Sequence, residues 1–274
     1  MLSAVSLFRE ALYGTLVIAL ACSVLGVYVV LRRIVFVGAA LAELSSAGIA
    51  LALWLSGQGL VMGLTTHPIA LALLLTIAGV LFFGSGSGRA RIPPDATIGV
   101  TYAVAGAVGI LLISKAAVGE AHDIFLQGNI LGITRIDTMI LLAVAIPVLI
   151  AHTVFYKEFL FVSFDRETAR TLGFRVGFWN LFLYLTLGLV IAFAMQFAGV
   201  MLVFNFLVLP AVTGLLLSRN MAGTFAWSII SALVAAIVGF SLSVPFDLPS
   251  GPAIVAVSGV IAAIAFLVRL SQRR

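Results

Sequence analysis

The chain has 274 residues, of which 63% are hydrophobic and only 9% charged, and its mean hydropathy is +1.26. Soluble domains carry about 25% charged residues, so this composition excludes a wetted surface on all sides and predicts a membrane protein with many helical crossings. The net charge of +5 is scattered over loops, and membrane topology accounts for it better than a nucleic-acid partner does. The single cysteine, Cys22, excludes an intramolecular disulfide and a Cys-rich metal site.

Nine apolar stretches are predicted to cross the membrane, each crossing helix needing about 20 apolar residues. Their ranges are 11–31, 34–56, 69–83, 96–113, 138–155, two within 179–217, 224–244 and 253–268. The uncharged stretch 179–217 is nearly twice one span, so a turn is placed at 196–199; eight spans remain possible. The prediction is an all-α, polytopic integral membrane helix bundle that forms one transmembrane domain over 1–274.

The positions of lysine and arginine predict the orientation, since these residues favour cytoplasmic loops. If Arg32 and Arg33 are cytoplasmic, alternation of the nine spans places 12 of the 15 basic residues inside. Arg9, Lys115 and Arg135 fall outside. The amino terminus is therefore expected outside and the carboxy terminus in the cytoplasm.

The second stretch carries a carboxylate, Glu43, nine residues after its start. At about 1.5 Å per residue, this places Glu43 roughly 13 Å into the helix, near the middle of the bilayer. Ala39 and Ser46 share its helical face, so the face is slim and offers a hydroxyl. Because an intramembrane carboxylate is costly and usually faces a wet cavity, we expect Glu43 to line a transport pathway. The alternative is a structural carboxylate bonded to Ser46 or another helix.

Two other polar side chains in the spans favour structural roles. Asn205 is predicted to hydrogen-bond between helices, and His152 to be a bonded structural histidine.

A charged segment between the fifth and sixth spans predicts a short helix. Asp165 is a suitable N-cap, and Gly173 a suitable stop after Leu172. The helix would present a compact, mixed-charge surface to the cytosol; a solvated loop is an equal alternative. The chain contains no G-x-x-x-x-G-K-[ST] motif, so it lacks an ATP-binding P-loop, and no catalytic motif is found.

Six stretches in order resemble the membrane permease of bacterial ABC importers for zinc, manganese or iron. They are FREALYGTLVIALACSVLGVYVVLRRIVFVGAALAELSSAGIAL, PDATIGVTYAVAGAVGILLIS, HDIFLQGNILGITRID, SFDRETARTLG, GVMLVFNFLVLPAVT and DLPSGPAIV. The resemblance covers nearly the whole chain and implies a type II ABC-importer permease fold that works by alternating access in the bacterial cytoplasmic membrane.

The resemblance also implies the partners and the coupling residues. A homodimer of permeases would assemble with two cytosolic ATP-binding subunits, which hold ATP and magnesium, and with an extracytoplasmic solute-binding protein. The segment 164–173 is similar to the family's coupling helix, which docks on the ATPase. Its residues with that implied role are Asp165, Arg166, Glu167, Arg170 and Gly173. The chain itself would bind no cofactor, and a divalent metal would be its substrate.

The sequence departs from the family pattern on the Glu43 face. The family helix usually carries an aspartate and a histidine four residues apart, and this chain has Ala39 and Glu43 there. Loss of the imidazole weakens a preference for zinc, since carboxylate suits harder ions. An ion-coupled secondary transporter or channel that uses Glu43 as its cation or proton site is the alternative function. An intramembrane enzyme ranks last, because no nucleophile and base are paired.

Overall fold

The computed structural model describes residues 9–58, 68–84, 94–115 and 130–272. Within these ranges the chain forms ten α-helices and a 3-10 helix, Ile130–Gly132, and no β-strand. The helices are α1 (Arg9–Leu31), α2 (Val35–Gly57), α3 (Pro68–Gly84), α4 (Pro94–Lys115), α5 (Arg135–Val154), α6 (Tyr156–Phe164), α7 (Arg166–Thr171), α8 (Val176–Leu217), α9 (Met221–Ser243) and α10 (Ser250–Ser271). The basic residues Arg89, Arg91, Arg273 and Arg274 and the stretch 122–129 lie outside the described residues.

Seven of these helices, α1, α2, α4, α5, α8, α9 and α10, are long and apolar enough to cross a membrane. Helix α3 is apolar but shorter, with 17 residues. The predicted all-α membrane bundle is confirmed. The count of nine spans is not, because only seven of the described helices are long and apolar enough to cross a membrane, and the 42 residues of α8 comprise two helical parts that meet at a kink. Its backbone leaves helical geometry at Gly199 (φ 70°, ψ 165°), inside the predicted turn.

The first half of α8 runs antiparallel to α1. Near the carboxyl end of α1, Tyr28 packs on the His152 ring, which is hydrogen-bonded to Thr186 of α8. Toward the amino end of α1, Ile18 lines a small cavity together with Ala194 of α8. Residue numbers along α8 thus rise as those along α1 fall.

The second half of α8 turns back along α1. A straight helix would carry Leu207 roughly 20 Å beyond Ala194, past the amino end of α1. Leu207 instead lies against Gly26, near the carboxyl end, where its carbonyl oxygen leaves no room for a Cβ. The reversal occurs at Gly199, whose backbone conformation is essentially restricted to glycine.

Small residues let α2 approach its neighbours closely. A Cβ added at Gly48 would lie 2.6 Å from the Cα of Ala72 on α3, so the two backbones nearly touch there. On the other side, Gly38 accommodates the Leu207 side chain of α8. Small residues serve this purpose in membrane helices, where packing rather than the hydrophobic effect holds neighbours together. Helix α2 therefore lies at the centre of the bundle, between α3, α4 and α8.

Candidate functional site

Glu43 lies in the third turn of α2 and is half-buried. Its carboxylate lies against Gly106 of α4, where an added Cβ would be 3.3 Å from Oε2 and 3.4 Å from Cδ. Glycine at this position leaves space for the carboxylate between the two helices. Leu41 and Leu44 of α2 pack against Gly79 of α3, and this contact is apolar. The fold thus directs the only acidic side chain of α2 toward α4.

The oxygen atoms around Glu43 have few partners. The hydroxyls of Ser45 and Ser46 are buried and have no hydrogen-bond partner among the described residues, although serine in a helix often bonds the carbonyl four residues earlier. Within the part of the chain that the structure describes, Glu43 itself makes no ion pair or hydrogen bond, so the predicted alternative of a Glu43–Ser46 bond is not seen. Ala39 is buried, with 5% of its surface exposed. The Glu43 carboxylate and the Ser46 hydroxyl, three residues apart on one face of α2, are therefore available as oxygen ligands.

These ligands do not amount to a resident metal centre. Among the described residues, no group of three histidine, cysteine, aspartate or glutamate side chains could hold a metal ion. A site with one carboxylate binds a cation weakly, and a weakly bound ion can leave again. This chemistry suits an ion in transit better than a cofactor.

The short helix α7 occupies the predicted position. Asp165 is its N-cap and accepts hydrogen bonds from the backbone N–H groups of Glu167 and Thr168, at 3.1 and 3.0 Å, and from the Thr168 hydroxyl. These bonds, led by the one from the Thr168 hydroxyl, lower the pKa of Asp165 below its ordinary value. After the helix, Gly173 takes a left-handed conformation with φ 84°, as expected for a glycine stop.

The charged side chains of α7 point outward. Arg166, Glu167 and Arg170 are exposed, whereas Ala169 is fully buried and anchors the helix on the bundle. The helix thus presents both signs of charge on a surface held by one small apolar contact. Such a surface fits a protein partner with complementary charges.

Sequence reasoning missed a polar junction next to α7. The side-chain oxygen of Asn180, near the start of α8, accepts hydrogen bonds from Nη1 of Arg32 at 2.8 Å and from Nη2 of Arg166 at 3.1 Å. Its side-chain nitrogen donates to the carbonyl of Gly84, the last residue of α3, at 3.4 Å. Nε of Arg32 also donates to the Ser163 hydroxyl at 2.9 Å. The only signal in the sequence was an amide at the start of a long apolar stretch, and its partners are too distant along the chain to be inferred.

The two other polar side chains lie as expected. His152 is buried, and its Nε2 is 2.9 Å from the Thr186 hydroxyl, with its ring stacked on Phe159. Asn205 donates to the Ser258 hydroxyl at 3.1 Å and so links α8 to α10. Both side chains hold helices together.

Comparison with known proteins gives matches over nearly the whole chain. The model of the ABC 3 transport family matches residues 4–269. The chain is 33% identical over 264 residues to the manganese transport system membrane protein MntC of Listeria monocytogenes, covering 96% of this chain and 90% of that protein. It is 30% identical over 267 residues to the manganese import system permease protein ScaB of Streptococcus gordonii, covering 97% and 92%.

A solved structure, PsaBC from Streptococcus pneumoniae in complex with Fab, is also similar. Its TM-score is 0.81 at 27% sequence identity, and the match covers 94% of this chain and 90% of that chain. Both α2, with Glu43, and α7 fall within the region matched by the family model.

Proposed function

The chain belongs to the ABC 3 transport family, and from this premise we propose its cargo, its route and its assembly. It is a membrane permease subunit of a metal ABC importer, and ATP hydrolysis belongs to a separate subunit. The resemblance seen in the sequence motifs is thereby confirmed. Family membership favours this function over the ion-coupled transporter or channel.

We propose that the cargo is Mn²⁺ and that it passes Glu43. The observation that carries the proposal is the half-buried Glu43 carboxylate, which faces Gly106 and shares its helical face with the Ser46 hydroxyl, unpartnered among the described residues. Carboxylate and hydroxyl oxygens suit Mn²⁺, whereas zinc gains more from imidazole, which is absent at positions 39 and 43. Two relatives named for manganese transport or import support the same ion.

We further propose nine membrane crossings, with the amino terminus outside and the carboxy terminus inside. The reversal of α8 at Gly199 supports two crossings within that element. Its 42 residues, at about 1.5 Å each, span about twice the thickness of the hydrocarbon core of a bilayer. Helix α3 would be a short crossing. In this topology Arg32, α7 and the start of α8 lie on the cytoplasmic side, as the distribution of basic residues requires.

The proposed assembly contains two copies of this chain, two ATP-binding subunits and an extracytoplasmic binding protein. Helix α7 would dock on the ATPase through Asp165, Arg166, Glu167 and Arg170, with Gly173 ending the helix. The exposed mixed charge of α7 supports this role. ATP-driven movement of α7 would then open the Glu43 region to one side at a time.

Glu43 variants test the cargo proposal. Glu43→Gln removes the charge but keeps the size, so we expect Mn²⁺ uptake to fall about tenfold or more, which corresponds to about 1.4 kcal/mol in the barrier. Glu43→His should shift uptake toward Zn²⁺. Uptake of each ion is measured in proteoliposomes that contain the permease and its ATPase, with the binding protein supplied on the outer side.

Glu158→Gln is the matched control, since Glu158 on α6 is also half-buried but lies on a different helix. It should transport Mn²⁺ like the unaltered protein. Normal Mn²⁺ uptake by both Glu43 variants would show that Glu43 is structural.

A further inference from the structure

Asn180 joins three parts of the bundle that are distant in sequence. Its side-chain oxygen binds Arg32, in the turn between α1 and α2, and Arg166, on α7. Its nitrogen binds the carbonyl of Gly84, where α3 ends. One amide thus uses its acceptor and its donor to hold α7, the α1–α2 turn and α3 against the start of α8.

The charges at this junction are unbalanced. Two guanidinium groups share a single neutral oxygen, and among the described residues no carboxylate lies within ion-pair distance of either. Nη2 of Arg32 is buried and has no hydrogen-bond partner in the part of the chain that the structure describes. Burial and the nearby Arg166 lower the pKa of Arg32 to about 10, which leaves it charged at neutral pH. A carboxylate in place of the amide would satisfy both arginines and hold them far more firmly.

Two of the elements joined at Asn180 adjoin α2, the helix that carries Glu43. Helix α2 begins three residues after Arg32, and Arg33 between them has a left-handed backbone (φ 58°), so the turn is tight. Helix α3 packs backbone to backbone on α2 at Gly48. The Asn180 hydrogen bonds therefore connect α7 with the turn that leads into α2 and with the end of α3, the helix beside it.

We propose that Asn180 is the positioning residue that transmits movement of α7 to α2 and α3. Its neutral amide lets the junction release and re-form in each transport cycle. This inference rests on the proposed function, because it needs α7 to be the element that the ATPase moves.

The test is the number of Mn²⁺ ions transported per ATP hydrolysed. In proteoliposomes of the permease with its ATPase and binding protein, Asn180→Ala should keep assembly and ATP hydrolysis but lower this ratio about tenfold. Asn180→Asp should act differently: its carboxylate pairs with both arginines, so ATP hydrolysis and uptake should fall together. A role in folding alone would lower the amount of assembled complex and leave the ratio unchanged.

Asn220→Ala is the matched control. Asn220 caps α9 by accepting a hydrogen bond from the Gly223 N–H at 2.7 Å, and it contacts neither arginine. Asn220→Ala should leave the number of Mn²⁺ ions transported per ATP hydrolysed unchanged. If Asn180→Ala does not assemble, Arg32→Lys provides the second test, since it keeps the charge but cannot bind Ser163 and Asn180 through the same fork.

An unchanged ratio in Asn180→Ala, or in Arg32→Lys if that variant is needed, would overturn the inference. Arg170→Glu separates this failure from failure of the proposed function. If Arg170→Glu uncouples transport while Asn180→Ala does not, α7 is the coupling element but Asn180 is not its relay. If neither variant uncouples transport, both the inference about Asn180 and the proposed role of α7 fail.

Discussion

The Glu43 region and the junction at Asn180 hold their polar groups in opposite ways. Among the described residues, neither the Glu43 carboxylate nor the buried Ser46 hydroxyl on its helical face has a hydrogen-bond partner. At the junction, Asn180 uses both ends of its amide, and nearby Asp165 accepts three hydrogen bonds. A passing ion needs ligands that are free when it arrives, whereas a part that transmits movement needs bonds to several elements at once.

The two regions also differ in how far apart along the chain their contacting residues lie. The Glu43 face is built from neighbours on one helix and from a glycine on another. The junction is built from long-range bonds, such as the one between Arg32 and Asn180, which are 148 residues apart. The first region is therefore sensitive to changes in side-chain size, and the second to changes in hydrogen bonding.

The largest expected effect follows from filling the space beside Glu43. Gly106→Val places a branched side chain where a Cβ alone would be 3.3 Å from the carboxylate. We expect Mn²⁺ uptake to fall at least about tenfold. The valine side chain fills the space that the ion needs, although the Glu43 ligand is still present. Uptake and the amount of assembled complex are measured together.

Gly99→Val on the same helix is its control, since an added Cβ at Gly99 meets no atom within 4 Å. That variant should transport normally. Unimpaired uptake by Gly106→Val would mean that the ion does not pass between α2 and α4.

A smaller effect is expected at the reversal of α8. Gly199→Ala forces a side chain into a backbone conformation that costs about 1–3 kcal/mol for residues other than glycine. The purified protein should unfold at a lower temperature in detergent. Gly177→Ala, at the open start of the same helix, should not lower it. Equal unfolding temperatures for the two variants would argue against a strained reversal.

The smallest effect is expected at the cap of α7. Asp165→Ala removes the acceptor for the amides of Glu167 and Thr168, so these amides should exchange their hydrogens faster. Thr171→Ala, which removes a hydroxyl that accepts from no amide, should leave both rates unchanged.

The same cap has a predictable pH dependence. Because the folded-state pKa of Asp165 lies below its ordinary value of 3.8, the cap is complete above that value and is lost as the pH falls through the lower one. Hydrogen exchange of α7, corrected for its intrinsic pH dependence, should therefore show constant protection between about pH 5 and 8. A change of protection between these pH values would show that a group other than Asp165 controls the protection of α7.

Much of the fold was predictable because hydropathy and capping are local properties. The predicted stretch 34–56 corresponds to α2 at Val35–Gly57. Asp165 and Gly173 delimit a short helix, Asp165 through its capping carboxylate and Gly173 through its left-handed backbone. The division of 179–217 was only partly predictable. Glycine at position 199 marks the place, but the reversal depends on contacts between α8 and α1.

The sequence by itself determined that this is an all-helical membrane permease, where its apolar helices lie, and which helix carries a carboxylate. These features follow from the free-energy cost of placing charged and unpaired polar groups in lipid. That cost depends on the residues of each segment alone. Only the tertiary structure decided that Glu43 faces Gly106 and that Asn180 joins Arg32 to Arg166. Such pairings depend on how distant helices pack, and no local property of either partner specifies them.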